Sequence, residues 1–140
     1  METMAILQRK EDKIAYLKGM VLMAKVDGKV EPEEITYINT AAIGMGLNEV
    51  EQNEISSMWE SADSGSVVFS SKLNAAFFVQ EAVQIAYVDG NCDEKERKLI
   101  YTLGEQVGLK TAEIAKIENW VEEGIQWKKR GEKLLEEIAG

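Results

Sequence analysis

The chain has 140 residues, 45% of them hydrophobic, and its 25 acidic and 16 basic residues give a net charge of −9. It contains no histidine and one cysteine, which excludes Ser–His and Cys–His nucleophile pairs, an internal disulfide, and multi-thiolate zinc or iron–sulfur sites. The length predicts a single domain, residues 1–140, and the negative charge disfavours nucleic acid and anionic membrane surfaces as partners.

Acidic residues are concentrated in one part of the chain. No lysine or arginine occurs between Lys29 and Lys72, and this interval contains eight carboxylates: Glu31, Glu33, Glu34, Glu49, Glu51, Glu54, Glu60 and Asp63. Such a surface keeps a protein soluble, and it also attracts a metal cation or a basic protein partner.

The sequence predicts neither a membrane segment nor secretion. It has no run of ~18 apolar residues, and Met1 to Lys13 lacks the apolar block of a signal peptide. We therefore expect no membrane insertion and a cytoplasmic location.

The first half of the chain has the pattern of three helices separated by short turns. Apolar residues with helical spacing predict a first helix that ends before Asp27-Gly28; they are Ile14, Leu17, Val21 and Ala24. Pro32 suits the first position of a second helix, and Glu34 is placed to complete a capping box there. The second helix is expected to stop near Gly46, before a third that starts at Asn48.

The second half shows the same order of helices and turns. A helix from about Ser71 to Asp89 is apolar nearly all round, which predicts that it is the buried central helix. Asp93 is a good N-cap residue for the next helix, and Glu96 completes its capping box. That helix is expected to end at Gly108, and Thr111 opens the last one.

A shift of 62 residues aligns the two halves. Starting with Val21 and Val83, twelve of 35 positions are identical without a gap. We therefore predict an all-α fold of six to seven helices, in which two pseudo-repeats, about 14–55 and 76–117, pack around a central helix. A helical tail, about 118–140, follows.

The tail has a pattern of its own, which we call the tail stripe. Its members recur at steps of four and three and are Trp120, Gly124, Trp127, Gly131, Leu134 and Ile138. The favoured interpretation is that this stripe folds back onto the domain. The alternative is a helix that dimerises or binds a partner.

The turns between the first two helices of each unit are acidic. Asp27 and Asp89 lie at helix C-termini, where the macrodipole disfavours a carboxylate. Either turn N–H groups compensate, or a divalent cation such as calcium is held by two clusters: Asp27, Glu31 and Glu34, and Asp89, Asp93 and Glu96. The spacing is not that of an EF-hand, because glycine comes directly after the aspartate.

The same residues carry a family resemblance. The segments Ala24 to Glu34 and Ala86 to Glu96, each with an A-x-x-D-G…E pattern, resemble the TerB family of tellurite-resistance proteins. The resemblance covers about Ile14 to Val121. It implies an all-helical fold of two pseudo-repeats, acidic patches as candidate metal sites, and a role in stress-response or envelope-associated complexes.

Two function hypotheses follow, and neither is an enzyme. Cys92 aligns with Val30, which favours a small apolar residue over a nucleophile, and each carboxylate pair has a capping explanation. The first hypothesis is a stress-related module that binds a divalent cation at the two acidic turns. The second is a helical interaction domain whose acidic face docks a basic, as yet unidentified, protein partner.

Overall fold

Helices make up all the regular structure of the residues that the computed structural model describes, which are 6–26, 28–61, 67–88 and 92–140. There are six α-helices and no strand in these ranges, so the predicted all-α class is confirmed. The helices are α1 (Lys10–Ala24), α2 (Pro32–Gly44), α3 (Glu49–Ser56), α4 (Lys72–Ala86), α5 (Glu94–Gln106) and α6 (Thr111–Ala139), and a 3-10 turn, Ser57–Trp59, follows α3. Within the same ranges, none of the helices has the length and apolar character needed to cross a bilayer.

The helix bounds recur at the interval found in the sequence. The helices α1, α2 and α3 begin at residues 10, 32 and 49, and α4, α5 and α6 begin at residues 72, 94 and 111, each 62 positions later. The ends of α1 and α2, residues 24 and 44, also precede the ends of α4 and α5, residues 86 and 106, by 62. Gly46 and Gly108 hold the same relation, and both have positive φ, 79° and 101°.

The helix starts use the chemistry that the sequence predicts. The Glu34 carboxylate accepts a hydrogen bond from the Glu31 N–H at 3.0 Å, and Pro32 occupies the first position of α2. Asn48 and Glu51 form a reciprocal pair at the start of α3, with N···O distances of 2.8 and 2.9 Å. These bonds satisfy N–H groups that have no partner inside a helix.

The core lies around α1 and α4. The helix α1 packs against α2, α3, α4 and α5, while α4 packs against α1, α5 and α6. At their crossing, Gly19 faces the ring of Phe78, and a Cβ built on Gly19 would stand 2.3 Å from Phe78 Cε1. The glycine therefore sets how closely the two central helices approach.

A buried acid joins the two halves of the fold. Asp12, on α1, is 1% exposed, and its carboxylate accepts a hydrogen bond from the Ser70 N–H at 2.7 Å and another from the Ser70 hydroxyl. The bond fixes the start of α1 to the segment that leads into α4. Sequence reasoning gave Asp12 no role, although it lies one turn before the buried Ala15 on the core face of α1.

The helix α4 lies where the sequence predicts it, but fewer of its apolar side chains are buried than predicted. Its buried face runs through Phe78 and Val83, but Leu73 and Ile85 are more than half exposed. An apolar composition all round the helix therefore leaves apolar side chains in solvent at both ends of α4.

The tail is where the expectation of a packed stripe is wrong. Residues 118–139 are helical and do not fold back; they continue α6, a helix of 29 residues that spans about 44 Å at 1.5 Å per residue. Val121 is its last buried residue, and every position from Gln126 onward is exposed. The counterpart helix α3 stops after eight residues, where the sequence turns to Ser, Asp and Gly; the α6 sequence continues with good helix formers.

Candidate functional site

The predicted metal ligands divide into residues that the structure describes and residues outside that range. Asp27 and Asp89 lie outside the described residues. Glu31 and Glu34 are used at the start of α2 as described above. Asp93 is the N-cap of α5, and its carboxylate accepts hydrogen bonds from the N–H groups of Lys95 at 2.6 Å and Glu96 at 3.1 Å.

Capping accounts for the acidic turns as far as they are described. Within the described residues, no group of three His, Cys, Asp or Glu side chains is arranged to hold a metal ion. Asp93 caps its helix as predicted, and Glu96 takes part as the N–H donor to that cap. The structure thus brings Glu31 together with Glu34, and Asp93 with Glu96.

The most developed polar cluster was not predicted. It centres on Glu118 of α6, which is 7% exposed and accepts hydrogen bonds from three side chains. Tyr87 Oη donates to Glu118 Oε2 at 2.8 Å, Arg97 Nε donates to the same oxygen at 3.0 Å, and Tyr101 Oη donates to Oε1. We call Glu118, Tyr87, Arg97 and Tyr101 the Glu118 cluster.

The Glu118 cluster joins α5 and α6 to Tyr87, the residue that follows α4. Arg97 lies over the Tyr101 ring, 5.2 Å from its centroid, and its second guanidinium contact reaches Glu118 Oε1 at 3.3 Å. The sequence carried one signal for it: Ile114, Glu118 and Val121 share one face of α6, so a carboxylate sits among core residues. The side chains that donate to Glu118 come from other parts of the chain, and their distance from it in the sequence does not predict that they meet.

The electrostatics of the cluster follow from its bonds. Burial alone would raise the pKa of Glu118, but the hydrogen bonds from Arg97, Tyr101 and Tyr87, together with the Arg97 charge, lower it below its usual range. Burial and the Glu118 carboxylate raise the pKa of both tyrosines. The Glu118 carboxylate is therefore ionised at neutral pH and surrounded by donors, which makes it a structural anchor and a poor general base.

The lone cysteine lies beside this cluster and is not activated. Burial, followed by the carboxylates of Glu96, Glu118 and Asp93, raises the pKa of the Cys92 thiol to about 11. At pH 7 only about one thiol in ten thousand is then ionised, and the thiolate is the nucleophilic form. This agrees with the sequence interpretation of Cys92 as a small apolar residue.

The acidic interval is partly neutralised in three dimensions. Lysines of α1 reach it: Lys18 Nζ lies 2.6 Å from Glu54 Oε1, and Lys10 Nζ lies 3.3 Å from Glu51 Oε1. Glu33 and Glu49 are exposed and have no such ion pair within the described residues. The sequence interval therefore overstates the negative surface, because Glu51 and Glu54 are paired with lysines of α1.

Apolar side chains accompany these two carboxylates. Tyr37 is 68% exposed and lies one turn after Glu33 on α2. Val50, next to Glu49 at the start of α3, is 77% exposed. We call these two pairs the α2–α3 surface: Glu33 and Tyr37 lie in the first half of α2, and Glu49 and Val50 lie beyond its other end, at the start of α3.

A groove of about 770 Å³ lies between α4 and α6. Its lining includes Ile85 and Val88 on one side and Trp120, Gly124 and Trp127 on the other, and we call it the α4–α6 groove. Beyond it the rest of the tail stripe stands in solvent, so that the groove and the stripe form one continuous apolar surface.

Comparison of the chain with models of protein families, with curated proteins and with solved structures found no match. The resemblance to TerB therefore rests on the two aligned segments alone.

Proposed function

We propose that this chain is a non-enzymatic helical interaction module of the TerB-like type, whose α2–α3 surface binds a basic protein partner. The observation that carries the proposal is the exposure of two carboxylates without ion pairs in the described residues, Glu33 and Glu49, beside the exposed apolar side chains Tyr37 and Val50. A lysine- or arginine-rich amphipathic segment has the complementary chemistry.

The TerB-like part of the proposal is supported by the two sets of helix bounds that stand 62 residues apart. This is what two pseudo-repeats of a duplicated unit would produce. A cytoplasmic location and a role in stress response or tellurite resistance come from the resemblance, and they remain part of the proposal.

The non-enzymatic part is supported by the chemistry of the polar groups. The chain has no histidine, the Cys92 thiol is held protonated, and the Glu118 carboxylate is engaged by three donors. None of these groups is prepared as a nucleophile or as a base near neutral pH.

Binding to a synthetic amphipathic peptide of lysine and leucine tests the α2–α3 surface. We expect the double variant Glu33→Gln/Glu49→Gln to weaken binding by about fivefold in a low-salt titration, since each exposed charge contributes about 0.5 kcal/mol. Isothermal titration calorimetry at two salt concentrations measures the effect, which should shrink as screening increases.

The matched control is Glu132→Gln/Glu136→Gln, which removes two exposed carboxylates from α6 and so gives the same net charge. Equal weakening by the two double variants would mean that overall charge draws the peptide in, and the α2–α3 proposal would then fail.

A second candidate function is binding of a divalent cation at the two acidic turns. The observation in its favour is that carboxylates occupy equivalent positions in the two halves. Glu31 and Asp93 are N-caps 62 residues apart, and Glu34 and Glu96 follow one helical turn later. Oxygen-rich turns of this kind suit calcium. Asp27 and Asp89 would complete the ligand sets in this proposal.

Thermal melts of metal-stripped protein with added calcium, magnesium, manganese or zinc test this candidate. A bound ion at ten times its dissociation constant should add about 1.4 kcal/mol, which corresponds to a rise of roughly 4 °C in the melting temperature. The rise should be lost in Asp27→Asn/Asp89→Asn and kept in Glu33→Gln/Glu49→Gln. No rise with any of the four ions at millimolar concentration would rule out a site of useful affinity.

A further inference from the structure

The tail stripe is an exposed apolar surface with a regular shape, and the function proposed above does not involve it. Its large side chains are exposed to the following fractions: Trp120 52%, Trp127 69%, Leu134 53% and Ile138 73%. They alternate with Gly124 and Gly131, where an added Cβ would meet nothing within 4 Å. The exposed edge of α6 is therefore a series of knobs and open depressions.

The spacing of the stripe is that of a two-helix coiled coil. Steps of four and three average 3.5 residues, the repeat that keeps one seam of a helix against a partner helix. Trp120, Trp127 and Leu134 then occupy one seam position, and Gly124, Gly131 and Ile138 occupy the other.

An antiparallel pairing of two copies matches knobs to depressions. When the helices are aligned so that facing residue numbers sum to 251, Gly124 lies opposite Trp127 of the second copy, and Gly131 lies opposite Trp120 of the second copy. Each indole then covers a glycine, which no side chain of its own copy fills. A parallel in-register pairing would instead place glycine on glycine and leave hollow layers.

The charges beside the stripe fit the same alignment. Glu123 and Arg130 each precede a stripe glycine by one residue, and in this register they flank the same side of the seam, two residues or about 3 Å out of level and so close enough to pair, twice by symmetry. Lys128 is brought level with Glu123 of the second copy, and not with its own counterpart. Shape and charge thus both fit this register.

The stripe begins beside the body of the domain. The stripe begins at the α4–α6 groove, where Ile85 and Val88 are 51% and 76% exposed. A second α6 laid along the stripe would cover these side chains too, joining the tail contact to the body of the domain.

We propose that two copies of this chain form a dimer through antiparallel pairing of their α6 tails, with Trp120 and Trp127 of each copy packed on Gly131 and Gly124 of the other. The contact is isologous, as expected of a closed dimer. It does not depend on the α2–α3 surface, so that either proposal stands if the other fails.

Sedimentation equilibrium of the full chain at several concentrations measures the dimer. We expect a reversible transition between the mass of one chain, 15.7 kDa, and twice that mass. Trp127→Ala should raise the dimer dissociation constant at least tenfold. Because Trp127 is exposed in the single copy, circular dichroism should show an unchanged helix content for the monomer.

A charge exchange tests the register. Glu123→Arg and Arg130→Glu should each raise the dissociation constant about tenfold, because like charges then lie close together across the seam, and the double variant should return to within threefold of the original value. Neither residue has an oppositely charged neighbour three or four positions away on its own helix, so that rescue must come from the other copy. The control exchange, Glu122→Arg/Lys129→Glu, lies on the far face of α6 and should change the constant less than threefold.

Three results would overturn the proposal. A monomer at all concentrations would leave the stripe to a different protein. A dimer that Trp127→Ala does not weaken would use another surface, and single exchanges that the double variant fails to rescue would exclude this antiparallel register.

Discussion

Replacing Glu118 with alanine is expected to lower the free energy of unfolding by about 2 kcal/mol. The substitution leaves Arg97 without its buried partner and leaves the hydroxyls of Tyr87 and Tyr101 without their acceptor. Leaving buried hydrogen-bonding groups without their partner costs about 1–3 kcal/mol, and Arg97, whose side chain is about half exposed, is solvated by water once Glu118 is removed. Denaturant unfolding followed by circular dichroism should measure the change, and the melting temperature should fall by roughly 6 °C.

Two variants sharpen this expectation. Glu118→Gln keeps an acceptor oxygen but not the charge, so its effect should be smaller than that of Glu118→Ala. Glu122→Ala removes an exposed carboxylate from the same helix and should stay within ~0.5 kcal/mol of the original chain. Similar losses from Glu118→Ala and Glu122→Ala would contradict the structural role of the cluster.

The contribution of Glu118 should also depend on pH in a defined direction. Because the pKa of its carboxyl is lower in the folded chain than in the unfolded chain, the folded state binds fewer protons in this range. The stabilisation is therefore fully present above the unfolded pKa, near 4.3, and is lost as the pH falls towards the folded value. The difference in stability between the original chain and Glu118→Gln should shrink below about pH 4.

Replacing Gly19 with alanine is expected to lower the free energy of unfolding by about 3 kcal/mol. The new Cβ would stand 2.3 and 2.4 Å from two atoms of the Phe78 ring. That ring is 1% exposed and is held between Tyr16 and Phe69, so it has little room to move. Overpacking of a core typically costs about 1–3 kcal/mol, and the rigidity of this site places it at the upper end, even after alanine's better helix propensity.

Gly44→Ala provides the matched control. Gly44 is also helical, but a Cβ there meets nothing within 4 Å, so that alanine should be neutral or stabilising by up to ~1 kcal/mol. The double variant Gly19→Ala/Phe78→Leu should lose less than the sum of its two single variants, since the smaller side chain removes the clash. Strict additivity would mean that Gly19 and Phe78 do not meet as described.

Local signals along the sequence predicted most of the helix starts and stops. Asn48 and Asp93 cap helices because their side chains accept hydrogen bonds from N–H groups of the first turn, and Pro32 suits the first position of α2 because it has no N–H to leave unpaired. Such chemistry needs only neighbours within three residues, so that one sequence contains all of it. The positive φ of Gly46 and Gly108 is foreseeable for the same reason.

The Glu118 cluster and the exposed tail depend on distant parts of the chain. Tyr87 and Glu118 are 31 positions apart and meet only because α4 and α6 pack side by side. The helical spacing of apolar residues predicts that the tail stripe forms one face of a helix. It does not show whether the domain or another molecule covers that face. A helix that leaves the core after Val121 carries the same residues as one that folds back.

The placement of the three tryptophans affects how the chain can be studied by its fluorescence. Trp59 is half-buried beside the core, whereas the indoles of Trp120 and Trp127 lie mostly in water. Two of the three indoles of the folded chain thus lie on α6, outside the crossing of α1 and α4. The tail indoles report changes around α6, while unfolding of the core is better followed through Trp59 alone, after both tail tryptophans have been replaced by phenylalanine.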